Sequence, residues 1–250
     1  MLSKAKIKEI RALEVKKFRD EKNLFVAEGN KLVADMLHTF ECEWLLTRTP
    51  WLATQGNINT KELIMVEESD LQKISFLKTP QDVLAVLKKT QYSLDEADPA
   101  SQLILALDGI QDPGNLGTII RLADWFGIEN VICSPDTADV YSPKAVQATM
   151  GALTHIKVHY TNLNEFIEKH KNVPVYGAFL EGEIIYNKKL SQNGIIVMGN
   201  EGNGIRKKTE SLINEKLYIP PYPPEHETTE SLNVAVATAI ICAEFRRRKA

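Results

Sequence analysis

Residues 103–126, LILALDGIQDPGNLGTIIRLADWF, place a continuous apolar run directly before a segment with helical periodicity. The run LILALDGI predicts a buried strand, and PGNLGTIIRLADWF predicts the helix that follows it. Asp112 is suited to cap this helix, Pro113 suits its first turn, and Gly127 suits a left-handed residue at its end. A strand followed at once by a helix is the repeating unit of an α/β domain.

The same alternation continues toward the C-terminus. Further strands are predicted at VICS, HIKVHY, VPVYGAFL, GIIVMGN and KLYIP, and further helices at SPKAVQATM, LNEFIEKHK, RKKTESLI and SLNVAVATAIICAEFRRR. Continuous apolar strands separated by helices are typical of a mainly parallel sheet with helices on both faces. From the residues alone, we predict an α/β fold with an ordinary doubly wound sheet, since chains rarely form knots.

A smaller α/β unit precedes this region. Helical spacing of apolar residues over 3–22 is followed by alternating short strands and helices that end with DVLAVLKK at 82–89. The polar and acidic stretch QYSLDEADPAS, residues 91–101, is the best candidate for a linker. We therefore predict an N-terminal α/β domain over residues 1–96 and a C-terminal domain over residues 97–250.

The charge distribution permits a nucleic-acid partner without requiring one. The chain of 250 residues has a formal net charge of −3, which argues against a protein that coats nucleic acid indiscriminately. Basic residues are concentrated at both ends, where a solvated helix face and an RNA-binding surface would look alike. They are Lys4, Lys6, Lys8, Arg11, Lys16, Lys17, Arg19, Lys22 and Lys31, against five acids in the same stretch, and Arg246, Arg247, Arg248 and Lys249.

Other sequence features exclude whole classes of protein. No apolar run approaches the ~20 residues that a membrane-spanning helix requires, and the N-terminus is too charged for a signal peptide, so we expect a cytoplasmic protein. Cys42, Cys133 and Cys242 are widely separated, which favours buried thiols over disulfides or a metal site. His155 and His159 lie in THIKVHY, whose alternation predicts a strand. We therefore expect no bound metal.

Arg121 stands out in the otherwise apolar helix at 113–126. On a helix it shares a face with Gly114, Gly117 and Thr118, because these residues precede it by seven, four and three positions. Small neighbours leave room for a substrate beside the guanidinium. A role in binding an anionic ligand and a plain surface position are equally compatible with this spacing.

A glycine-rich segment, VMGNEGNGI at 197–205, follows another apolar strand. A tight turn is the ordinary explanation for such glycines. The segment matches neither a P-loop nor the dinucleotide fingerprint, and Glu201 would repel a pyrophosphate, so a nicotinamide-dependent oxidoreductase is disfavoured. Backbone groups freed by the turn can instead hold an adenine or an amino-acid group at the strand end.

A proline-rich loop, IPPYPPEHETTE, leads into the last predicted helix, which opens with SLN. Ser231 is suited to cap that helix, and the following Ala and Val residues are typical of a buried helix. Asn233 lies in the first turn, where its amide can bond either its own helix or a cofactor or ribose.

In this order, the three segments closely resemble the three motifs of the SpoU (TrmH) family of RNA ribose 2′-O-methyltransferases, within the SPOUT superfamily. The first motif, NxGxxxR, is matched by Asn115, Gly117 and Arg121, the second by GNEGNG, and the third by IP followed by SLN. The resemblance covers residues 103–248. The stretches KFRDEKNLFVAEGNKLV and KTPQDVLAV are similar to the small RNA substrate-binding domain that often precedes this catalytic domain.

This resemblance implies a C-terminal domain with a deep trefoil knot, S-adenosylmethionine as cofactor, and a homodimer whose active site draws on both subunits. The implied cofactor contacts are Ala178, Phe179, Gly199, Ile219 and Leu232. The implied catalytic and ribose-binding residues are Asn115, Arg121, Glu201, Ser231 and Asn233. One departure is the lengthened loop at 221–230, which has Pro221 where family members usually have methionine, so the cofactor contacts and the accepted RNA stay open at this point.

The implied reaction is a direct displacement in which a ribose oxygen attacks the methyl carbon of a sulfonium and leaves S-adenosylhomocysteine, without a metal. A 2′-hydroxyl is a poor nucleophile, so the site must orient it and stabilise the oxyanion that forms. Arg121 is the candidate for this stabilisation and for phosphate positioning. We favour this over a role as general base, because the guanidinium stays protonated. Glu201 would orient neighbouring groups.

Three alternatives for the biological role follow from the resemblance. Ribosomal RNA is favoured as substrate over transfer RNA because of the extra N-terminal domain. A catalytically silent RNA-binding assembly factor that has kept the fold is the rival from another class. The presence of all three motifs argues against that rival.

Overall fold

The computed structural model describes residues 2–223 and 231–247. The chain forms two compact units, of which one comprises Met1–Gln91 with Asp139–Thr154 and the other comprises Tyr92–Ala138 with His155–Ala250. The sequence-based division at residue 96 stays a prediction. The compact units differ from it mainly in that Asp139–Thr154 belongs with the N-terminal residues.

The N-terminal unit contains a four-stranded mixed sheet. Its elements are α1 (Lys4–Ala12), α2 (Lys16–Lys22), β1 (Leu24–Glu28), α3 (Asn30–Met36), β2 (Cys42–Thr47), α4 (Thr49–Leu52), β3 (Thr60–Met65), α5 (Glu68–Ile74) and β4 (Val83–Lys88). The strand order is β1-β4-β2-β3, with β4 antiparallel to both of its neighbours and β2 parallel to β3. Buried aliphatic residues from α1, α5 and the strands form the core of this unit.

The predicted helix over residues 3–22 is in fact two helices, α1 and α2. Arg19 explains the break, because its Nη1 donates to the carbonyl oxygens of Leu13 and Glu14, both at 2.7 Å. In a continuous helix these carbonyls would accept backbone N–H groups. Arg19 is itself buried, with 2% exposure.

Asp139 shows why the segment Asp139–Thr154 packs in the N-terminal unit. Its Oδ2 accepts from Nε and Nη2 of Arg19 at 2.9 and 2.7 Å, so the buried guanidinium is paired with a carboxylate. Tyr141 donates its hydroxyl to the carbonyl oxygen of Thr90 at 2.9 Å, and its ring lies 4.8 Å from that of Phe25. An unpaired buried charge is strongly destabilising, so Arg19 and Asp139 depend on one another.

The remaining elements begin with a short 3-10 helix at Leu94–Glu96, and a second one lies at Ala152–Thr154. The strands and helices are β5 (Leu103–Asp108), α6 (Pro113–Trp125), β6 (Asn130–Cys133), α7 (Pro143–Thr149), β7 (Lys157–Tyr160), α8 (Leu163–Lys169), β8 (Val175–Ile184), β9 (Gly194–Gly199), α9 (Lys207–Glu210), β10 (Glu215–Tyr218) and α10 (Val234–Arg247). All of these except α7 and the second 3-10 helix belong to the C-terminal unit.

The C-terminal unit is built on a six-stranded parallel sheet in the order β10-β8-β9-β5-β6-β7. Every residue of β5 and β6 is buried, as their continuous apolar sequences predict. One face of the sheet packs against Leu163, Phe166 and Ile167 of α8. On the other side, α6 and α10 pack on one another and contact β6 and β9. The predicted fold class, an α/β fold with a mainly parallel sheet, is thus confirmed.

Strand β8 runs to Ile184, beyond the end of the predicted strand VPVYGAFL at Leu180. It pairs with β10 through Gly177, leaves the register for residues 178–182, and pairs again from Glu183 onward. Gly182 permits the return, because a Cβ there would lie 2.8 Å from the carbonyl oxygen of Lys216. The predicted cofactor contacts Ala178 and Phe179 therefore lie in this excursion of β8.

The last helix also begins later than predicted, at Val234 rather than at Ser231. Asn233 is its cap, since Oδ1 of Asn233 accepts from the backbone N–H groups of Ala235 and Val236 at 3.0 and 3.3 Å. The prediction that Ser231 caps this helix is therefore wrong. Asn233 satisfies two of the N–H groups that lack a partner at a helix start.

The three thiols, of Cys42, Cys133 and Cys242, are free and buried, as predicted. Burial raises the pKa of the Cys133 thiol and raises that of Cys242 to about 12, so neither is a reactive thiolate at neutral pH. Within residues 2–223 and 231–247, no helix is long and apolar enough to cross a membrane. The same residues contain no group of His, Cys, Asp and Glu side chains that could hold a metal ion.

Candidate active site

The candidate site lies at the carboxyl ends of the neighbouring parallel strands β5 and β9, where Asp108 pairs with Gly199. Carboxyl ends of adjacent parallel strands are the usual place for ligand sites in such sheets. Helix α6 starts at this edge, because Oδ1 of Asp112 accepts from the backbone N–H of Asn115 at 2.9 Å. The predicted capping role of Asp112 is thereby confirmed.

Three of the predicted catalytic residues form a chain of side-chain hydrogen bonds. Asn115 donates from Nδ2 to Oε1 of Glu201 at 3.0 Å. Asn233 donates from Nδ2 to Oδ1 of Asn115 at 3.1 Å. We call Glu201, Asn115 and Asn233 the amide chain. It joins one residue from each of the three sequence segments.

The loop that carries Glu201 is closed by its own backbone. Asn200 and Gly204 exchange two backbone hydrogen bonds, of 3.0 and 2.9 Å. The side chain of Asn200 accepts at Oδ1 from the N–H groups of Gly202 and Asn203 and donates from Nδ2 to the carbonyl oxygen of Gly109 at 2.7 Å. These contacts hold Glu201 at the rim, where Oε2 also accepts from the N–H of Gln111 at 3.4 Å.

Gly199 is required by the close approach of this loop. A Cβ built there would lie 2.3 Å from the carbonyl carbon of Gly204 and 2.4 Å from the nitrogen of Ile205. Gly204 has a φ of +66°, a conformation that side chains with a Cβ rarely adopt. The turn thus brings backbone, rather than side chains, against the end of β9.

Asp108 and Arg206 are functional candidates that the sequence reasoning missed. The side chain of Asp108 is completely buried at the end of β5, and it accepts hydrogen bonds from the guanidinium and the backbone N–H of Arg206. The hydrogen bonds to Asp108 raise the pKa of the Arg206 guanidinium. The sequence signal that could have identified Asp108 is its position as the acidic last residue of an otherwise apolar strand.

Arg121 and Ser231 are not joined to the amide chain by any hydrogen bond or ion pair among the described residues. Both are exposed. Arg121 follows Asn115 by six residues, which corresponds to about 9 Å along the helix axis. Thr118, on the Arg121 face, turns its hydroxyl to the carbonyl oxygen of Gly114 at 2.9 Å. Within residues 2–223 and 231–247, the guanidinium of Arg121 makes no hydrogen bond or ion pair that would compete with a ligand.

The residues expected to contact the cofactor lie on the strands next to this edge. Ala178 and Phe179 are half-buried in the excursion of β8, Gly199 ends β9, and Ile219 directly follows β10. Leu232, before α10, is 50% exposed. Strand β8 pairs in parallel with β9 up to Gly177 and Val197, so Ala178 and Phe179 follow this pairing beside the end of β9. The five are neutral, and with the tight backbone at Gly199 they fit the adenine ring of the cofactor.

Comparisons with known proteins identify the family to which the chain is similar. The model of the SpoU rRNA Methylase family matches residues 102–243, and that of the MRM3-like substrate binding domain matches residues 4–85. The chain is 33% identical over 249 residues to the 23S rRNA (guanosine(2553)-2′-O)-methyltransferase RlmP of Bacillus subtilis, and the alignment covers 96% of each protein.

Two solved structures are similar over nearly the whole chain. One, from Porphyromonas gingivalis and assigned to the TrmH family of RNA methyltransferases, has a TM-score of 0.89 at 39% identity and covers 99% of each chain. The other, an AdoMet-bound rRNA methyltransferase from Sinorhizobium meliloti, has a TM-score of 0.86 at 29% identity and covers 100% of this chain and 97% of that one. The similarity therefore includes the N-terminal residues as well as the candidate site.

Proposed function

This chain belongs to the SpoU rRNA methylase family, and we infer that it transfers the methyl group of S-adenosylmethionine to a ribose 2′-hydroxyl of structured RNA. The observation that carries this inference is the amide chain, because it joins one residue from each of the three family motifs at the carboxyl edge of the sheet.

The bound cofactor supplies an electrophilic methyl group on a sulfonium, and the protein must present the ribose oxygen to it. Ala178, Phe179, Gly199, Ile219 and Leu232 would hold the cofactor. Glu201 and Asn233 fix both ends of the Asn115 amide, so Asn115 is preorganised to orient a ribose at the rim. Arg121 has its guanidinium donors available for a phosphate and for the oxyanion that forms.

We propose ribosomal RNA as the substrate class. Support comes from the similarity to RlmP, which acts on 23S rRNA according to its name and matches this chain over 96% of its length. Transfer RNA is the alternative. The same proposal retains the expected cytoplasmic location, where such RNA is made and modified.

The N-terminal unit is proposed to select the RNA. Most of its basic side chains are engaged, for example Lys6 with Glu62 at 2.9 Å. Lys4, Lys8 and Lys31 are exposed and make no hydrogen bond or ion pair with a described residue. These three lysines are the candidates for phosphate contacts, which position RNA without reading its sequence.

Charge reversal tests this role better than deletion of the N-terminal unit. Deleting residues up to Ala97 would remove Arg19 and leave Asp139 without its buried partner. The combined variant Lys4→Glu, Lys8→Glu and Lys31→Glu keeps that ion pair. We expect weaker RNA binding with unchanged affinity for S-adenosylmethionine, whereas an equal loss of both affinities would contradict the proposed division of labour.

The active form is proposed to be a homodimer, as the family resemblance implies. Trp125, at the end of α6, is 83% exposed, and Val236 on α10 is 49% exposed. We take these exposed apolar side chains, on two helices that pack on one another, as support for an interface there. Val236 lies three residues after Asn233, so a partner subunit seated on this part of α10 would lie next to the candidate site.

Methyl transfer from labelled S-adenosylmethionine to unmodified ribosomal and transfer RNA transcripts tests the function directly. We expect incorporation into ribosomal RNA at a ribose, detected as a nuclease-resistant or alkali-resistant dinucleotide. Incorporation into transfer RNA alone would replace the proposed substrate. RNA binding without cofactor binding by calorimetry and without transfer would instead support the catalytically silent assembly factor.

A further inference from the structure

The carboxylate of Asp108 lies completely buried beneath the active-site rim. Burial of a charge is costly unless the charge is paired and hydrogen-bonded. Arg206 provides both kinds of partner, because its Nε donates to Oδ1 of Asp108 at 2.7 Å, its Nη2 donates to the same oxygen, and its backbone N–H donates to Oδ2 at 2.9 Å. The main chain and the side chain of Arg206 are therefore both fastened to the end of β5.

The other end of the loop is fastened to the same place. Asn200 donates from Nδ2 to the carbonyl oxygen of Gly109, the residue that follows Asp108. Residues 200–206 are thus held at both ends by two consecutive residues of β5 and its extension. Glu201 lies between these two attachments.

Glu201 itself is exposed, and its carboxylate makes only the contacts to Asn115 and Gln111 among the described residues. Its position is consequently set by the loop rather than by packing around its side chain. If one of these attachments were lost and the loop shifted by a fraction of an ångström, the 3.0 Å contact between Glu201 and Asn115 would lengthen.

We propose that Arg206 is a positioning residue for methyl transfer, because its bonds to Asp108 hold residues 200–206 where the Glu201 carboxylate reaches Asn115. The expected effect of Arg206 on turnover rests on the proposed function. The dependence of the Glu201–Asn115 contact on Arg206 is a geometric claim that holds whatever the function.

The alternative is that Arg206 forms an ordinary surface ion pair and does not position Glu201, since Arg206 is half-exposed and also approaches Asp136 at 3.3 Å. Exposed pairs contribute little and would leave activity unaffected. Arg247 is a matched control for that case, because it pairs with Glu244 at 2.8 Å on α10 and has no part in the site.

The kinetic test compares Arg206→Ala, Arg206→Lys, Glu201→Ala and the double variant Arg206→Ala with Glu201→Ala. At saturating RNA and cofactor we expect Arg206→Ala to lower kcat by about 10- to 100-fold, as small misplacements of catalytic groups do. Arg206→Lys should recover part of the loss, because it keeps the charge but not the paired geometry. In the Glu201→Ala background, Arg206→Ala should cost less than about threefold, since residues that act as a unit are not additive.

The geometric test follows the side-chain amide resonance of Asn115 by nuclear magnetic resonance, assigned by its loss in Asn115→Asp. We expect Arg206→Lys and Arg206→Ala to shift this resonance in the same direction as Glu201→Ala, while Arg247→Ala leaves it in place. Thermal unfolding of each variant separates a local change from a general loss of structure.

Each outcome of these tests either supports or overturns the proposal. Full additivity of Arg206→Ala and Glu201→Ala, or an unmoved Asn115 resonance in the Arg206 variants, overturns the proposal. If the wild-type protein transfers no methyl group to any RNA, the proposed function fails, and the Asn115 resonance still decides whether Arg206 positions Glu201.

Discussion

Asn233 donates from Nδ2 to Oδ1 of Asn115 at 3.1 Å while its own Oδ1 caps helix α10. The cap fixes which end of the Asn233 amide faces Asn115, because only the oxygen can accept from the backbone N–H groups of Ala235 and Val236. Asn115 must then present its oxygen to Asn233 and its nitrogen to Glu201. The start of helix α10 therefore sets the orientation of the Asn115 amide on helix α6.

This relationship predicts that Asn233→Asp separates the two roles of Asn233. The aspartate can still cap α10, so we expect the free energy of unfolding to stay near that of the wild-type protein. It has no N–H to donate to Asn115, so methyl transfer should fall about tenfold or more. Asn233→Ala should lose activity and about 1 kcal/mol of stability together.

Asn162→Asp is the matched control, since Asn162 caps α8 in the same way. Denaturant unfolding and single-turnover transfer are the two measurements. Normal turnover in Asn233→Asp would mean that the amide chain has no role in the reaction.

Arg121→Ala is expected to lower turnover strongly while affinity for S-adenosylmethionine changes little. Loss of a preorganised oxyanion donor typically costs about 3 kcal/mol, or about a hundredfold in rate. Arg121→Lys should restore only part of the loss, because lysine keeps the charge without the planar pair of donors. Single-turnover transfer at saturating RNA, together with calorimetric cofactor affinity, measures both effects. Near-normal chemistry in Arg121→Ala would remove this residue from the mechanism.

Gly199→Ala is expected to disrupt the cofactor side of the site. A Cβ at Gly199 would lie 2.3 Å from the carbonyl carbon of Gly204, so the backbone must move, at a cost of about 2 kcal/mol. Gly202→Ala is the matched control in the same loop, because the nearest atom to its Cβ would be 3.7 Å away. We expect cofactor binding to fall in Gly199→Ala and to persist in Gly202→Ala. Equal calorimetric affinities for the two variants would contradict this account.

His159 predicts a pH dependence of stability. Burial lowers the pKa of His159 below its ordinary value of 6.5, despite the opposing charge of Glu96, and Nε2 of His159 faces Oδ1 of Asn130 at 2.9 Å. The unfolded chain therefore binds the proton more readily than the folded one. The resulting stability is present above about pH 6.5 and is lost as the pH falls through the lowered pKa.

The measurement is the free energy of unfolding from denaturant titrations at several pH values between about 5 and 7.5, a range chosen around the ordinary histidine pKa. His159→Gln keeps an N–H for Asn130 and cannot titrate, so its curve should be flatter than that of the wild-type protein. Parallel curves for the two proteins would rule out His159 as the source.

Trp125→Glu is expected to weaken self-association, because a charge would replace an exposed ring at the proposed interface. Sedimentation at micromolar concentration should show a dimer for the wild-type protein and more monomer for the variant. A wild-type protein that sediments as a monomer would count against the arrangement. Tyr186→Glu changes another exposed aromatic residue, one that lies outside α6 and α10, and serves as the control.

The elements of the fold were largely predictable because each follows from local pattern. Continuous apolar strands such as β5 and β9 can only be buried on both faces, and the helices between them force a parallel sheet. The excursion of β8 at residues 178–182 was not predictable, since it depends on the fit of Gly182 against Lys216 of another strand. The same holds for Asp139–Thr154, whose place depends on the distant Arg19.

By itself, the sequence determined the fold class and the residue types of the candidate site, since apolar patterns and motif spacing are local and can be recognised along the chain. Only the tertiary structure decided which of those residues meet. Asn115 lies 86 positions from Glu201 and 118 positions from Asn233 in the sequence, and no local pattern encodes contacts over such separations. The buried pair of Asp108 and Arg206, 98 residues apart, is of the same kind, because the cost of burying a charge arises only after the chain has folded around it.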